Sequence, residues 1–235
     1  MSKCGWENTE QGRRSCRVQL ATGLQFSFPL ATLPPPSTGL VLKHVALGRG
    51  TQYYTYDIAN PSPQPNGAVA TLYDAGCLAA EQELQQIPDL LSEVSASSLR
   101  FSVKTISKDL TGLRDRLDLT SNSFSVSGKH FTTISTPFFE LEKNQGSVSC
   151  TKINSMPAPA PSPGSPGVGD NKSLNGETAV AWLKLLGVAG LTGGLHEVYR
   201  LDTSGGSPPP TCAGQPASLE VQYAAVYWFW GELVQ

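Results

Sequence analysis

From Leu40 onward the chain runs in short apolar and β-branched stretches. LVLKHVAL leads into Gly48-Arg49-Gly50 and then TQYYTYDIA. Runs of this length and composition predict two strands, or one strand with a glycine-marked bulge, which would aim Arg49 or Gln52 toward a rim. Three prolines and an Asn-Gly in ANPSPQPNG predict a turn, and GAVATLYDA an antiparallel partner strand. Asp74 at its end is placed to bond turn amides.

The period then changes. Across Cys77 to Val94, residues Leu84, Ile87, Leu90, Leu91 and Val94 recur at spacings of three and four, which predicts a helix broken or kinked near Pro88. Residues 99–127 alternate irregularly and suggest weak strands. GKHFTTIS, PFFELE and GSVSCTKINS predict three short strands, the last two joined through Asn144-Gln145-Gly146. Beyond a Pro/Gly/Ser-rich loop at 156–176, AVAWLKLLGVAG, GGLHEVYRLDTSGG and LEVQYAAVYWFWGE follow. In the last, Tyr223, Tyr227 and Phe229 face one side and Val226, Trp228 and Trp230 the other, so both faces are apolar and the strand is central.

The pattern predicts an all-β fold, an antiparallel β-barrel or β-sandwich with one short accessory helix. Residues 1–36, ending in three prolines, form an N-terminal wrapping segment, and 37–235 a single domain. With 23 Gly and 18 Pro and only 15% charged residues, the composition agrees with short strands and many turns.

A formal net charge of -2 and no basic run longer than Arg13-Arg14 argue against nucleic acid as a partner. No apolar stretch is long enough for a membrane-spanning helix, and the first twenty residues are too polar for a signal peptide, which suits an intracellular protein or a chain without its leader. Cys4, Cys16, Cys77, Cys150 and Cys212 lack metal-ligand spacing, so no metal site is expected. They suit two disulfides and a thiol in a secreted protein or five thiols in the cytoplasm, and the Pro- and Ser-rich, lysine-poor character favours at least one disulfide. Asn171-Lys172-Ser173 is a sequon for an N-glycan in a secretory setting.

Chemistry-bearing motifs are few. There is no G-x-G-x-x-G, no Walker pattern and no G-x-S-x-G elbow. His196, Val198, Arg200 and Asp202 alternate on one strand face, where an imidazole and a guanidinium could grip or protonate a carbonyl-bearing ligand. If the strands close into a barrel, one face of each lines an interior that can hold a small ligand. The candidate catalytic residues are His196, Arg200, His130 and Tyr54. Arg49, Gln52, Tyr56, Tyr223, Tyr227 and Trp228 are the candidate substrate-binding residues.

VALGRGTQYYTY, GAVATLYDAGC, GKHFTTISTPFFEL, AWLKLLG, HEVYRLDTSGG and VQYAAVYWFWG, taken in order, closely resemble a domain-of-unknown-function family numbered thirty-four fifty-five. The resemblance runs from about Leu40 to Gly231. The family is widespread in filamentous fungi and also bacterial, and its fungal members are often labelled malate dehydrogenase. This chain has no βαβ alternation, no dinucleotide fingerprint and no acidic residue placed for a ribose, which argues against that activity. Many fungal relatives are secreted, so the resemblance implies a secretory protein, with a cytoplasmic one as the alternative. Relatives commonly read Tyr-Thr-Cys at Tyr54-Thr55-Tyr56, which implies a family disulfide lost here.

The expected function is a cofactor-free cyclase, isomerase or pericyclase acting on a small apolar, natural-product-like substrate by shape and a few polar groups. The alternative is a secreted non-catalytic ligand-binding or structural surface protein.

Overall fold

Eight strands close on themselves in an up-and-down barrel. The computed structural model describes residues 6–8, 14–16, 33–57, 60–85, 89–101, 124–133, 136–159, 178–189 and 191–233. A two-stranded antiparallel sheet, β1 (Trp6–Asn8) with β2 (Arg14–Cys16), precedes the barrel. The barrel strands are β3 (Val41–Asp57), β4 (Asn60–Asp74), β5 (Val126–Thr133), β6 (Thr136–Leu141), β7 (Gly146–Met156), β8 (Trp182–Ala189), β9 (Leu195–Gly205) and β10 (Ser218–Gly231). Each pairs antiparallel with the next, and β10 closes the ring on β3. Of the two architectures expected, the chain adopts the closed barrel.

Two short helices, α1 (Gly76–Gln85) and α2 (Leu90–Ser98), stand where one broken helix was expected. Leu78, Ala79, Leu90, Leu91 and Val94 are buried against the outer side chains of β3, β9 and β10, among them Val45, Leu47, Tyr199, Val226 and Trp228. A second apolar cluster, including Ala46, Leu72, Phe139, Val148, Leu185, Val198, Tyr227 and Phe229, lines the interior. Central β10 thus buries both of its faces, as its two apolar sides require.

Two local readings are corrected. NPSPQPNG is not the turn: it is the first half of β4, and β3 pairs across to it down to Asp57 opposite Asn60. Prolines at alternate positions 61, 63 and 65 leave their missing N–H groups on one edge, and β5 pairs only with Val69 to Tyr73. Gly67 (φ +99°) lies at the register shift between Gln52 and Tyr54, so Asn66-Gly67 makes a bulge instead. Conversely, Gly48-Arg49-Gly50 is regular, with unbroken register on both sides.

The expected weak strands at 99–127 and the loop at 156–176 lie largely outside the described residues, as does Asn171. Among the described residues, no helix is long and apolar enough to cross a membrane. Where the described chain enters at 33–37 it is bound to the outer wall. Tyr199 donates to the Pro34 carbonyl (2.7 Å), Lys184 to that of Pro35 (2.8 Å), and Ser37 donates from both backbone and hydroxyl to the Glu197 carboxylate.

Candidate functional site

Strand alternation sends His44, Ala46, Gly48, Gly50 and Gln52 of β3 inward, opposite the inward Tyr223 and Tyr227 of β10. The glycines answer a volume problem. A Cβ on Gly48 would overlap the Tyr227 ring, and one on Gly50 would overlap the backbone of Val69 and Ala70. Large rings from β10 and bare backbone on β3 share the same layer, alternating large with small around the wall.

Within this apolar interior runs a chain of polar groups. The hydroxyls of Tyr223 and Tyr227 meet at 3.0 Å, both rings fully buried. Arg200 lies opposite Tyr227 on β9, and its charge bears on the Tyr227 phenol. The same guanidinium is held by the Ala181 carbonyl at 3.2 Å from Nε and 2.8 Å from Nη2. Burial pushes both phenols up, against the pull of the Arg200 charge.

His130, on β5, donates from Nδ1 to the Phe138 carbonyl (3.0 Å), which leaves Nε2 as an acceptor in the neutral ring. Its imidazole stacks on Phe139 at 4.3 Å and tilts against Tyr227 at 5.7 Å. Burial lowers its pKa to about 4, so it is neutral at physiological pH. Tyr54 donates to the Gly206 carbonyl (2.7 Å), and burial raises its phenol to about 12 while the Arg200 charge acts to lower it. The Gln52 amide nitrogen is buried without a hydrogen-bond partner among the described residues.

The structure therefore brings together His130, Arg200, Tyr223 and Tyr227, with Tyr54 and Gln52 nearby. The other four candidates lie apart. Arg49 points outward beneath α2, donating to the carbonyls of Ser98 (3.2 Å) and Phe101 (3.3 Å), to those of Gly50 and Tyr223, and to the Gln222 amide oxygen. It is a helix anchor rather than a rim residue. Trp228 packs on the outer face under the helices. Tyr56 is half-buried close enough to Cys212 for the thiol to bear on its phenol. His196 is the extra residue at a β9–β10 register shift, half-exposed, with Nε2 3.5 Å from a Glu232 carboxylate oxygen.

Alternation along β9 thus holds for Val198 and Arg200 but not for its ends. Asp202, at φ +47°, turns out to accept from Ser92 of α2 (2.7 Å). Three polar contacts, two of them buried, escaped the sequence reading. His44 Nε2 meets Ser127 Oγ at 3.0 Å, Lys184 pairs with Glu197, and Asp202 meets α2. For His44 the signal was there, since it shares the inward parity of Ala46 and Gln52. Ser127 sits beside a β4–β5 register shift that no pattern reveals. Asp74 does accept from the Gly76 amide at 2.9 Å, as expected of a strand-ending aspartate.

Cys77 is disulfide-bonded, whereas Cys150 and Cys212 carry thiols. Among the described residues no group of three His, Cys, Asp or Glu side chains could hold a metal ion. A family model described as "Protein of unknown function (DUF3455)" matches residues 36–231, nearly the whole barrel chain. The chain belongs to this family. No curated protein and no solved structure matches it. The DUF3455 match begins at the segment docked on Glu197 and ends at the last residue of β10, so it covers both walls of the polar interior.

Proposed function

We propose that this DUF3455 barrel binds a small apolar organic molecule in its interior and acts on it as a cofactor-free cyclase or isomerase of the pericyclase type. The observation that carries the reading is the Arg200–Tyr227–Tyr223 chain beside neutral His130, set among Phe139, Phe229 and aliphatic side chains. Buried polar groups are costly, and hydrocarbon would fill the same space without that cost. In an apolar interior, fixed donors interact strongly with charge that develops on a substrate oxygen.

The division of labour follows from the protons. The Tyr223 and Tyr227 hydroxyls share one hydrogen bond, and the Arg200 charge acts to lower the Tyr227 phenol, which favours Tyr227 as a donor to a ligand carbonyl. His130 Nε2 is the basic lone pair beside it. Polarising the carbonyl makes the adjacent C–H more acidic; His130 takes that proton, and its return at another carbon shifts the double bond or follows ring closure. The sequence is redox-neutral, so it needs no electron carrier.

A second reading is a secreted carrier that performs no chemistry. It is favoured by the low pKa of His130, about 4, which makes the imidazole a weak base at neutral pH. The fungal setting that the resemblance implies and the sequon at Asn171 support a glycosylated, secreted protein under either reading.

Native mass spectrometry of protein from a fungal host, before and after organic extraction, tests the ligand. The expected result is one small molecule per chain that leaves on extraction. The recovered molecule is then returned to the extracted protein, and a mass-neutral rearrangement slowed by Tyr227→Phe or His130→Gln supports the enzyme. Return of the molecule unchanged supports the carrier, and a clean mass before extraction would sink both.

A further inference from the structure

Two hydrogen-bond donors in the barrel interior have nothing to donate to among the described residues. One is the Gln52 amide: the side chain is 8% exposed and its Nε2 is buried without a partner. The other belongs to the tyrosine pair. Two phenols carry two hydroxyl protons, and the single 3.0 Å contact between them uses one. Arg200, whose charge acts on both phenols, has donors only and takes no proton from them.

The side chains of Gln52 and Tyr223 lie close along the inward face. Tyr223 lies directly opposite Gly50 in the β3–β10 ladder, and Gln52 follows two residues along on the same face. Such diagonal pairs are about 7–8 Å apart at the backbone, within reach of long side chains. Both border Gly206, where a Cβ would lie 2.7 Å from Tyr223 Cβ and 3.4 Å from Gln52 Cγ. The charged groups acting on Tyr223 are Arg200 and Arg49, both cations. Unspent donors under a positive field suit an acceptor that carries negative charge.

We infer that Gln52 and the Tyr223–Tyr227 pair form a two-donor receptor for one oxyanion of the ligand, a phenolate or enolate oxygen on an apolar frame. The inference rests on the interior being a ligand site, and it names the chemical class that the site takes. A neutral hydrocarbon would leave both donors unpaired, at a cost the site avoids only with an acceptor oxygen. In the cyclase or isomerase reading, this oxygen is the one on which charge develops when the adjacent proton is lost.

The test uses the extracted full chain with two probes, p-nitrophenol and naphthalene. At a pH where free p-nitrophenol is protonated, the bound chromophore is expected to show the absorbance of the phenolate. Hydrogen bonds to a charged oxygen predict that Gln52→Leu and Tyr227→Phe each weaken its binding about tenfold or more relative to their effect on naphthalene. Gln52→Glu, which places a carboxylate against the bound anion, is expected to abolish phenolate binding. Circular dichroism confirms that each variant is folded, and the wild-type absorbance shift is independent of any variant.

Binding of naphthalene with p-nitrophenol bound only as the neutral phenol, or equal phenolate affinity in Gln52→Leu, would overturn the oxyanion receptor and leave the ligand site standing. Such a result would assign the Gln52 amide to a buried water. Failure of both probes to bind would overturn the ligand reading as well.

Discussion

Lys184 and Glu197 lie on neighbouring strands of the outer wall, 3.2 Å apart and 5% and 2% exposed, and together they bind the segment at 35–37. Removing one member of a buried pair strands the other charge. Glu197→Gln is therefore expected to cost about 3–5 kcal/mol in urea unfolding. The double variant Lys184→Met/Glu197→Leu should cost less than the sum of its two single changes. Additivity would mean that the pair is not coupled.

Arg49 ties the end of α2 to the barrel through the Ser98 and Phe101 carbonyls. Lysine has a single ammonium and cannot span five acceptors on separate chain segments. Arg49→Lys is expected to lower stability by about 2–3 kcal/mol and to speed proteolysis at α2 under native conditions. Unchanged cleavage there would refute the anchoring role.

Gly48 leaves the space that the Tyr227 ring occupies. Overpacking predicts a loss of about 1–3 kcal/mol for Gly48→Ala. Gly50→Ala meets backbone instead of a side chain and should cost more. Combining Gly48→Ala with Tyr227→Leu should recover part of the loss, measured by the denaturation midpoint. No recovery would place the clash elsewhere.

Asp202 is half-buried against α2, and desolvation raises its carboxyl to about 6 from the ordinary 3.8. The folded protein holds this proton to higher pH than the unfolded chain. The stability it contributes is present below pH 3.8 and is lost as pH rises through about 6. Relative to Asp202→Asn, the wild type should lose about 2–3 kcal/mol across that window. A flat difference would refute the raised value.

His130 has the opposite sign. Its folded pKa of about 4 lies below the ordinary 6.5, so its contribution is full above pH 6.5 and is lost as pH falls through 4. An NMR titration of the ring should show it neutral from about pH 5 upward. A midpoint near the ordinary value would show that the ring is solvated.

Much of the fold was legible because it depends on local periodicity. Two-residue alternation, turn residues and one stretch of three-and-four spacing located most strand segments from Leu40 to Gly231 and the helical insert, but not the proline-bearing first half of β4. Both apolar faces of β10 marked it as central. The six clustered site residues were legible as residue types on strands predicted to face a barrel interior. The pattern could not state closure, because joining β10 to β3 is a long-range pairing that leaves no local mark. Nor could it place the bulges, where a single extra residue reverses which side chains face inward. Bulges took His196 and Asp202 away from Arg200, and the covering helices turned Arg49 from rim residue to anchor. Sequence alone determined the strands, their order of polarity and the side chains available. Tertiary structure decided which of them share the interior, because burial and pairing across distant strands set the partners of each polar group.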